Sequence, residues 1–236
     1  MQNIYEPAYV KNLFNKMSGS YERMNFITSF GFSIIWRKRF LQKLKNSDSQ
    51  IEVLDLLSGL GENWKTLQKK YPNANIHGLD FSEEMVNKSK IKNATSFQNR
   101  INIIQQDLLK NQLTSNHFDF VSCAFGLKTF DNSQLEILGK TLELILKQNG
   151  EFSFIEISVP KSPFLKNVYG FYLGKIIPIL GKIFLGNPSD YKMLWNYTKN
   201  FSNCKETKLI FEKYNLEVKY NSYFFGCATG ISGRKL

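Results

Sequence analysis

The sequence predicts an α/β fold, a mainly parallel sheet with helices on both faces, and three observations carry that expectation. The first is Ile51–Glu62, IEVLDLLSGLGE, where an apolar run passes directly into a tight glycine turn. Val53, Leu54, Leu56 and Leu57 give the near-continuous apolar pattern of a strand buried on both faces. The second is that three successive apolar runs carry an acid at or near their carboxyl ends: Asp55, Asp80 and Asp107. The third is the alternation of strand-like and helix-like segments from residue 51 to residue 158, which implies crossover connections in one sheet.

Taken in order, residues 1–50 read as a helical cap, with helices around Glu6–Met17 and Phe32–Leu44. The core of residues 51–160 then follows as strand 51–57, helix 62–71, strand 75–80, helix 82–92, strand 101–106, strand 118–125, helix 133–147 and strand 151–158. Ser82 has the side chain of a helix N-cap with Met85 three residues on, and Gly150 reads as a helix stop before the fifth strand. Residues 161–201 interrupt the alternation with Pro163, Pro178 and Pro188, so they read as a bent helical insertion. Residues 202–236 complete the chain with a helix around Lys205–Tyr214 and two strands, Glu217–Tyr223 and Cys227–Ser232. The short link Phe224–Gly226 makes those two an antiparallel hairpin at the sheet edge. The result is a three-layer, seven-strand architecture in a single domain of 236 residues.

Composition narrows the function classes. The three cysteines, Cys123, Cys204 and Cys227, are scattered with no C-x-x-C pair, which argues against a disulfide framework or a cysteine metal site and suits a reducing, cytoplasmic setting. No metal is expected. The segment MQNIYEPAYVKNLF has no apolar signal core, and no run reaches membrane-spanning length. The formal charge of +11 is unevenly placed. Between Glu156 and Asp190 there is no acid, while Lys161, Lys166, Lys175 and Lys182 are interleaved with aromatic and aliphatic residues. Basic and apolar together fit an anionic membrane surface, or an anionic partner, better than solvent alone. A nucleic-acid partner rests on charge alone and is not expected.

The chemistry concentrates at the carboxyl ends of the strands, where open α/β sheets bind ligands. Ser58-Gly59-Leu60-Gly61 lets the main chain approach a ligand, and N–H groups opening the next helix favour a polar or anionic group. The loop lacks the third glycine of G-x-G-x-x-G, so alone it is weak. Asp80, about 20 residues on, stands where an acid meets a ribose diol. An adenosine fits the pattern, with its diol at Asp80 and its adenine edge near Asp107. Lys128 is the candidate for stabilising a phenolate, with an exposed loop lysine as the lesser alternative. Glu156 is a candidate base or polar anchor, readable equally as a strand-end structural carboxylate. Tyr21, Asn25, Tyr169 and Tyr172 are the candidate lining of an apolar substrate pocket. His77 reads as a packed strand residue and His117 as a solvated one.

Several segments carry a resemblance. LDLLSGLGE, GLDFSEEM and CAFGLKTF resemble the cofactor loop, ribose loop and fourth-strand motif of class I S-adenosylmethionine methyltransferases. SYERMNFITSFGFSIIWRKRF and the insertion beginning SPFLKNVYGFYLG are similar to the ubiquinone/menaquinone C-methyltransferase branch of that fold. The resemblance spans nearly the whole chain. It implies S-adenosylmethionine as cofactor, with Asp55, Ser58, Gly59 and Gly61 at its methionine end and Asp80 on its ribose. It further implies Phe81 and Met85 flanking adenine, Asp107 and Leu108 at the adenine edge, and Cys123 and Ala124 beneath. The acceptor it implies is a prenylated quinol. Two positions differ from the branch: Lys128-Thr129 stands where Arg-Asn is usual, and Ser58 where Cys is usual. A methyltransferase of a soluble small molecule therefore stays open as the alternative.

Overall fold

Strand β1 (Glu52–Leu56) lies inside a seven-stranded sheet in the computed structural model, which describes residues 3–29, 31–110, 112–177, 179 and 188–236. The other strands are β2 (Asn75–Asp80), β3 (Ile101–Gln105), β4 (Phe118–Ala124), β5 (Leu146–Ile157), β6 (Leu216–Tyr223) and β7 (Ala228–Lys235). Their spatial order is β3-β2-β1-β4-β5-β7-β6. β1 to β5 pair in parallel, while β7 pairs antiparallel to both β5 and β6, so the expected terminal hairpin is present at the edge. The reversal of strand order falls between β1 and β4, which places a crevice above their carboxyl ends.

The helices are α1 (Pro7–Met17), α2 (Tyr21–Thr28), α3 (Phe32–Leu41), α4 (Trp64–Lys70), α5 (Glu83–Ser96), α6 (Asn132–Ile145), α7 (Pro163–Phe171), α8 (Pro188–Phe201) and α9 (Lys205–Phe211). One face of the sheet buries Leu54 and Leu56 against Leu135, Leu138 and Leu142 of α6 and Ile210 and Phe211 of α9. The opposite face buries Val53 and Ile76 against Trp36, Phe40 and Leu41 of α3 and Trp64 and Leu67 of α4. Alternation along β1 thus feeds both layers, as strand geometry requires. A third cluster joins the cap to the insertion: Leu13 and Met17 of α1 meet Leu173, Ile177 and Tyr197. α7 runs on into a wide π-type turn, Tyr172–Ile176. The stretch 180–187 of the expected insertion, with its Lys182, lies outside the described residues, as does Pro178.

Three expectations need correction. The cap holds an additional helix, α2, between the two predicted ones. α6 ends at Ile145 and β5 starts at once at Leu146, so Gly150 lies within the strand rather than stopping the helix. Its glycine serves a close approach: a Cβ there would sit 2.9 Å from the Lys147 carbonyl oxygen and 3.0 Å from that of Phe118, where the β4–β5 register shifts. α4 is also shorter than predicted, beginning at Trp64. Trp64 is fully buried under the loop, and a Cβ on Gly61 or Gly78 would come within 2.3 and 2.7 Å of its ring. The predicted N-cap is made: the Ser82 hydroxyl accepts from the Met85 N–H at 3.3 Å.

Candidate active site

The carboxyl ends of β1, β2 and β4 open into a cleft of about 710 Å³. Its walls include Gly59, Asp80, Phe81, Met85, Asp107, Leu108 and Ala124, seven of the residues the sequence singled out, with Tyr21 at one side. Asp55, Ser58, Gly61 and Cys123 stand behind that lining. Asp80 braces the loop: one carboxylate oxygen accepts from the Gly59 N–H and the other from the Ser82 N–H, both at 2.9 Å. Burial pushes its pKa up to about 6 against those hydrogen bonds.

The cleft has a charge opposite to that of the chain. Among the described residues lining it are Glu62, Asp80 and Asp107, and no lysine, arginine or histidine, in a chain with 31 basic and 20 acidic residues. Such a lining suits a ligand carrying positive charge together with hydroxyls, because low-dielectric walls concentrate the field of the carboxylates. Asp55 adds to it from beneath. It is fully buried, and its Oδ1 accepts from Asn63 and Ser122, each at 2.8 Å. Among the described residues, Oδ2 has no hydrogen-bond partner. Burial raises the Asp55 pKa to about 6.

Sequence reasoning missed Arg37, Glu62 and Phe125. Arg37 of α3 is buried; its guanidinium donates to Asn63 Oδ1 at 2.9 Å, pairs with Glu62 at 3.4 Å and lies over the Phe125 ring at 4.8 Å. Asn63 passes the connection to Asp55. The cap helix is thus tied through one guanidinium to the base of the cofactor-type loop. Phe125 follows β4 with φ +66°, and Leu57 follows β1 with φ +52°. Non-glycine residues in that region carry strain, which collects at ligand sites. The signal for Glu62 was its place directly after Gly-x-Gly; nothing local announces Phe125.

A second, larger chamber of about 1520 Å³ adjoins the first, and Phe14, Tyr21, Phe125 and Thr129 line both. Its walls come from the cap and the insertion: Leu13, Met17, Phe32, Trp36, Leu165, Leu173 and Ile177 among them. All four residues expected at an apolar substrate pocket, Tyr21, Asn25, Tyr169 and Tyr172, line it. Burial raises the Tyr169 hydroxyl well above its ordinary range, so its edge of the chamber stays uncharged. Lys128 lines the chamber as well, and the structure joins it to the other catalytic candidate. Its ammonium donates to Glu156 Oε1 at 3.0 Å and to the Phe125 carbonyl at 2.6 Å, while its backbone N–H donates to Glu156 Oε2 at 3.1 Å. Glu156 itself is fully buried.

Comparison with known proteins agrees with this geometry. Residues 1–235 match the ubiE/COQ5 methyltransferase family. A demethylmenaquinone methyltransferase of Staphylococcus aureus is 31% identical over 228 residues, covering 96% of this chain and 92% of that protein. Among solved structures, an S-adenosylmethionine-dependent methyltransferase from Aquifex aeolicus superposes with a TM-score of 0.59 at 17% identity, covering 85% of this chain and 89% of the other. A Haemonchus contortus phosphoethanolamine N-methyltransferase 2 solved with S-adenosyl-L-methionine gives 0.64 at 11% identity, over all of this chain and 60% of the other. At those identities the structures speak for the fold alone. With an acidic cleft at the strand ends and a family match along nearly its whole length, this chain is an S-adenosylmethionine-dependent methyltransferase and belongs to the ubiE/COQ5 methyltransferase family.

Proposed function

We propose that the enzyme methylates a ring carbon of a prenylated hydroquinone of the demethylmenaquinol type. The observation that carries this reading is the apolar chamber sharing a wall with the acidic cleft. It is larger than the cleft, and its aromatic and aliphatic lining suits a fused or substituted ring with the start of an isoprenoid tail. The name of the Staphylococcus aureus relative points the same way.

Roles follow from position. Asp80 would take the ribose hydroxyls, Phe81 and Met85 would flank the adenine, and Asp107 with Leu108 would meet its edge. Asp55, Ser58, Gly59 and Gly61 would hold the methionine end, with Cys123 and Ala124 beneath. The cofactor supplies an electrophilic methyl on a sulfonium whose leaving group is neutral. The protein's task is then to align acceptor carbon and methyl and to keep water out. Tyr21 and Phe125, at the shared wall, are placed to hold the ring. A hydroquinone carbon becomes more nucleophilic as the neighbouring hydroxyl loses its proton. An ammonium has three donors, and two of those on Lys128 are committed to Glu156 and Phe125. The third would stabilise the developing oxyanion, with Glu156 as the group that positions it.

A membrane-held acceptor also fits the outer surface. α7 and the Phe224–Gly226 turn flank the chamber and carry exposed Phe164, Phe171 and Phe225, the last 80% exposed. Lys161, Lys166 and Lys175 lie close in sequence, a combination suited to an anionic bilayer surface. Among the described residues no helix is long and apolar enough to cross a membrane.

The deciding assay follows labelled methyl transfer to reduced short-chain demethylmenaquinol in detergent, beside a panel of water-soluble phenols and catechols. Mass addition on the quinone ring is expected. Efficient methylation of a soluble phenol with none on the quinol would replace this reading by the soluble-acceptor one, which Lys128-Thr129 in place of Arg-Asn favours.

A further inference from the structure

Both histidines of the chain meet at one carboxylate, at the end of the sheet opposite the cofactor cleft. Glu52 begins β1, His77 lies on β2, and His117 immediately precedes β4. These are three adjacent strands of the sheet. His77 Nε2 is 2.7 Å from Glu52 Oε2 and His117 Nε2 is 3.7 Å from the same oxygen. One ligand atom from each residue lies within 4.8 Å of the others.

We propose that Glu52, His77 and His117 form a binding site for a zinc-like divalent transition ion. Two imidazoles and a carboxylate are a donor set suited to zinc, cobalt, nickel or copper and poorly suited to magnesium or calcium. A tetrahedral site with bonds of about 2.0–2.1 Å spaces its ligand atoms roughly 3.3 Å apart. The two distances to Glu52 Oε2 bracket that value, and the ligand atoms of all three residues lie within 4.8 Å of one another, so side-chain adjustment can bring them to one ion.

The surroundings hold the donors in place. The other oxygen of Glu52 accepts from the Asn75 side chain at 2.8 Å, the kind of outer contact that orients a ligating carboxylate. Phe118 packs edge-on against both imidazoles, with centroids 5.4 Å from His77 and 4.9 Å from His117 at 81° in each case. The Glu52 N–H donates to Asp119 at 2.9 Å, fixing β1 against β4 at this point. The cluster is open to entry, since the side chains of Glu52, His77 and His117 keep 22%, 15% and 38% of their exposure. Water would complete the coordination. No sulfur takes part, because Cys123, Cys204 and Cys227 are all buried elsewhere.

Tag-free protein stripped with a chelator and titrated with zinc in a calorimeter tests the site. One equivalent should bind, magnesium should give no heat, and His77→Gln/His117→Gln should weaken binding at least tenfold while the variant's circular dichroism stays native. Cobalt should give the visible bands of four-coordinate nitrogen–oxygen ligation without a thiolate charge-transfer band. Zinc affinity unchanged in the double variant, a thiolate band with cobalt, or no binding to folded wild-type protein would each overturn the proposal.

Discussion

Lys128 and Glu156 touch twice: ammonium to Oε1 at 3.0 Å and backbone N–H to Oε2 at 3.1 Å. With Glu156 fully buried, it cannot recover a hydration shell if its partner goes. Lys128→Met is therefore expected to lower stability by roughly 3–5 kcal/mol as well as turnover. Lys128→Met/Glu156→Leu removes the stranded charge and should recover most of the stability. Turnover should stay low in both variants if the ammonium works on the acceptor. A double variant that is stable and fully active would make the pair purely structural. Thermal melts with single-turnover rates separate the outcomes.

Asp80 offers a direct test of the cofactor cleft. Asp80→Ala removes the acceptor for the Gly59 and Ser82 N–H groups along with the proposed ribose contact. S-adenosylmethionine affinity is expected to fall by about 1–3 kcal/mol, the usual value of hydrogen bonds to a charged group. Calorimetry giving wild-type affinity in the variant would move the ribose elsewhere.

Acidity should act on the same cleft. Asp55 and Asp80 each titrate near pH 6 in the folded protein, raised by burial above the ordinary carboxylate value. Below that range they bind protons in the folded state while the unfolded chain still holds carboxylates, so these two groups favour folding more as pH falls from 6 towards 4. Binding of a cationic ligand runs the other way. Cofactor affinity is expected to weaken as pH drops through 6, although the contribution of these two acids to stability grows. Affinity independent of pH between 5 and 7.5 would show that neither carboxylate faces the ligand's charge.

Arg37 should couple cap to cofactor. Arg37→Lys keeps the charge and loses the planar fork that reaches Asn63 and Glu62 together. It is expected to weaken cofactor binding several-fold with the fold intact, read by calorimetry beside a thermal melt. Unchanged affinity would confine Arg37 to holding α3.

Vesicles test the exposed rim. Retention on anionic liposomes at low salt should decline as salt rises, and Phe225→Ser should reduce it without altering cofactor affinity. Equal partition into neutral and anionic vesicles, or none into either, would remove the bilayer contact.

Much of this arrangement was legible in the chain because it is written locally. Apolar runs ending in Asp80 or Asp107 need only a strand and a turn to be recognised, and Ser82 caps its helix three residues away. The four residues expected around a substrate also share one chamber, since the insertion folds over the cap. What was illegible depends on distance in sequence or on backbone twist. Lys128 and Glu156 were both singled out, yet their pairing comes from β4 and β5 lying side by side, with Ala124 opposite Ile155. Arg37 reaches Glu62 across 25 residues because α3 packs on the sheet. Gly150 looked like a helix stop because no polar break separates α6 from β5. The left-handed turn at Phe125 has no compositional mark.

The acidic lining of the cleft bears on how a catalytic cycle closes. Methyl transfer turns a sulfonium into a neutral thioether, so the cofactor loses one positive charge while Glu62, Asp80 and Asp107 keep theirs. If the cleft holds the cofactor as proposed, its carboxylates attract the spent form less strongly, because that form keeps its α-ammonium but has lost the sulfonium charge. The charged form would then compete against the spent one with a coulombic advantage, and added salt should weaken the binding of the charged form more than that of the spent one.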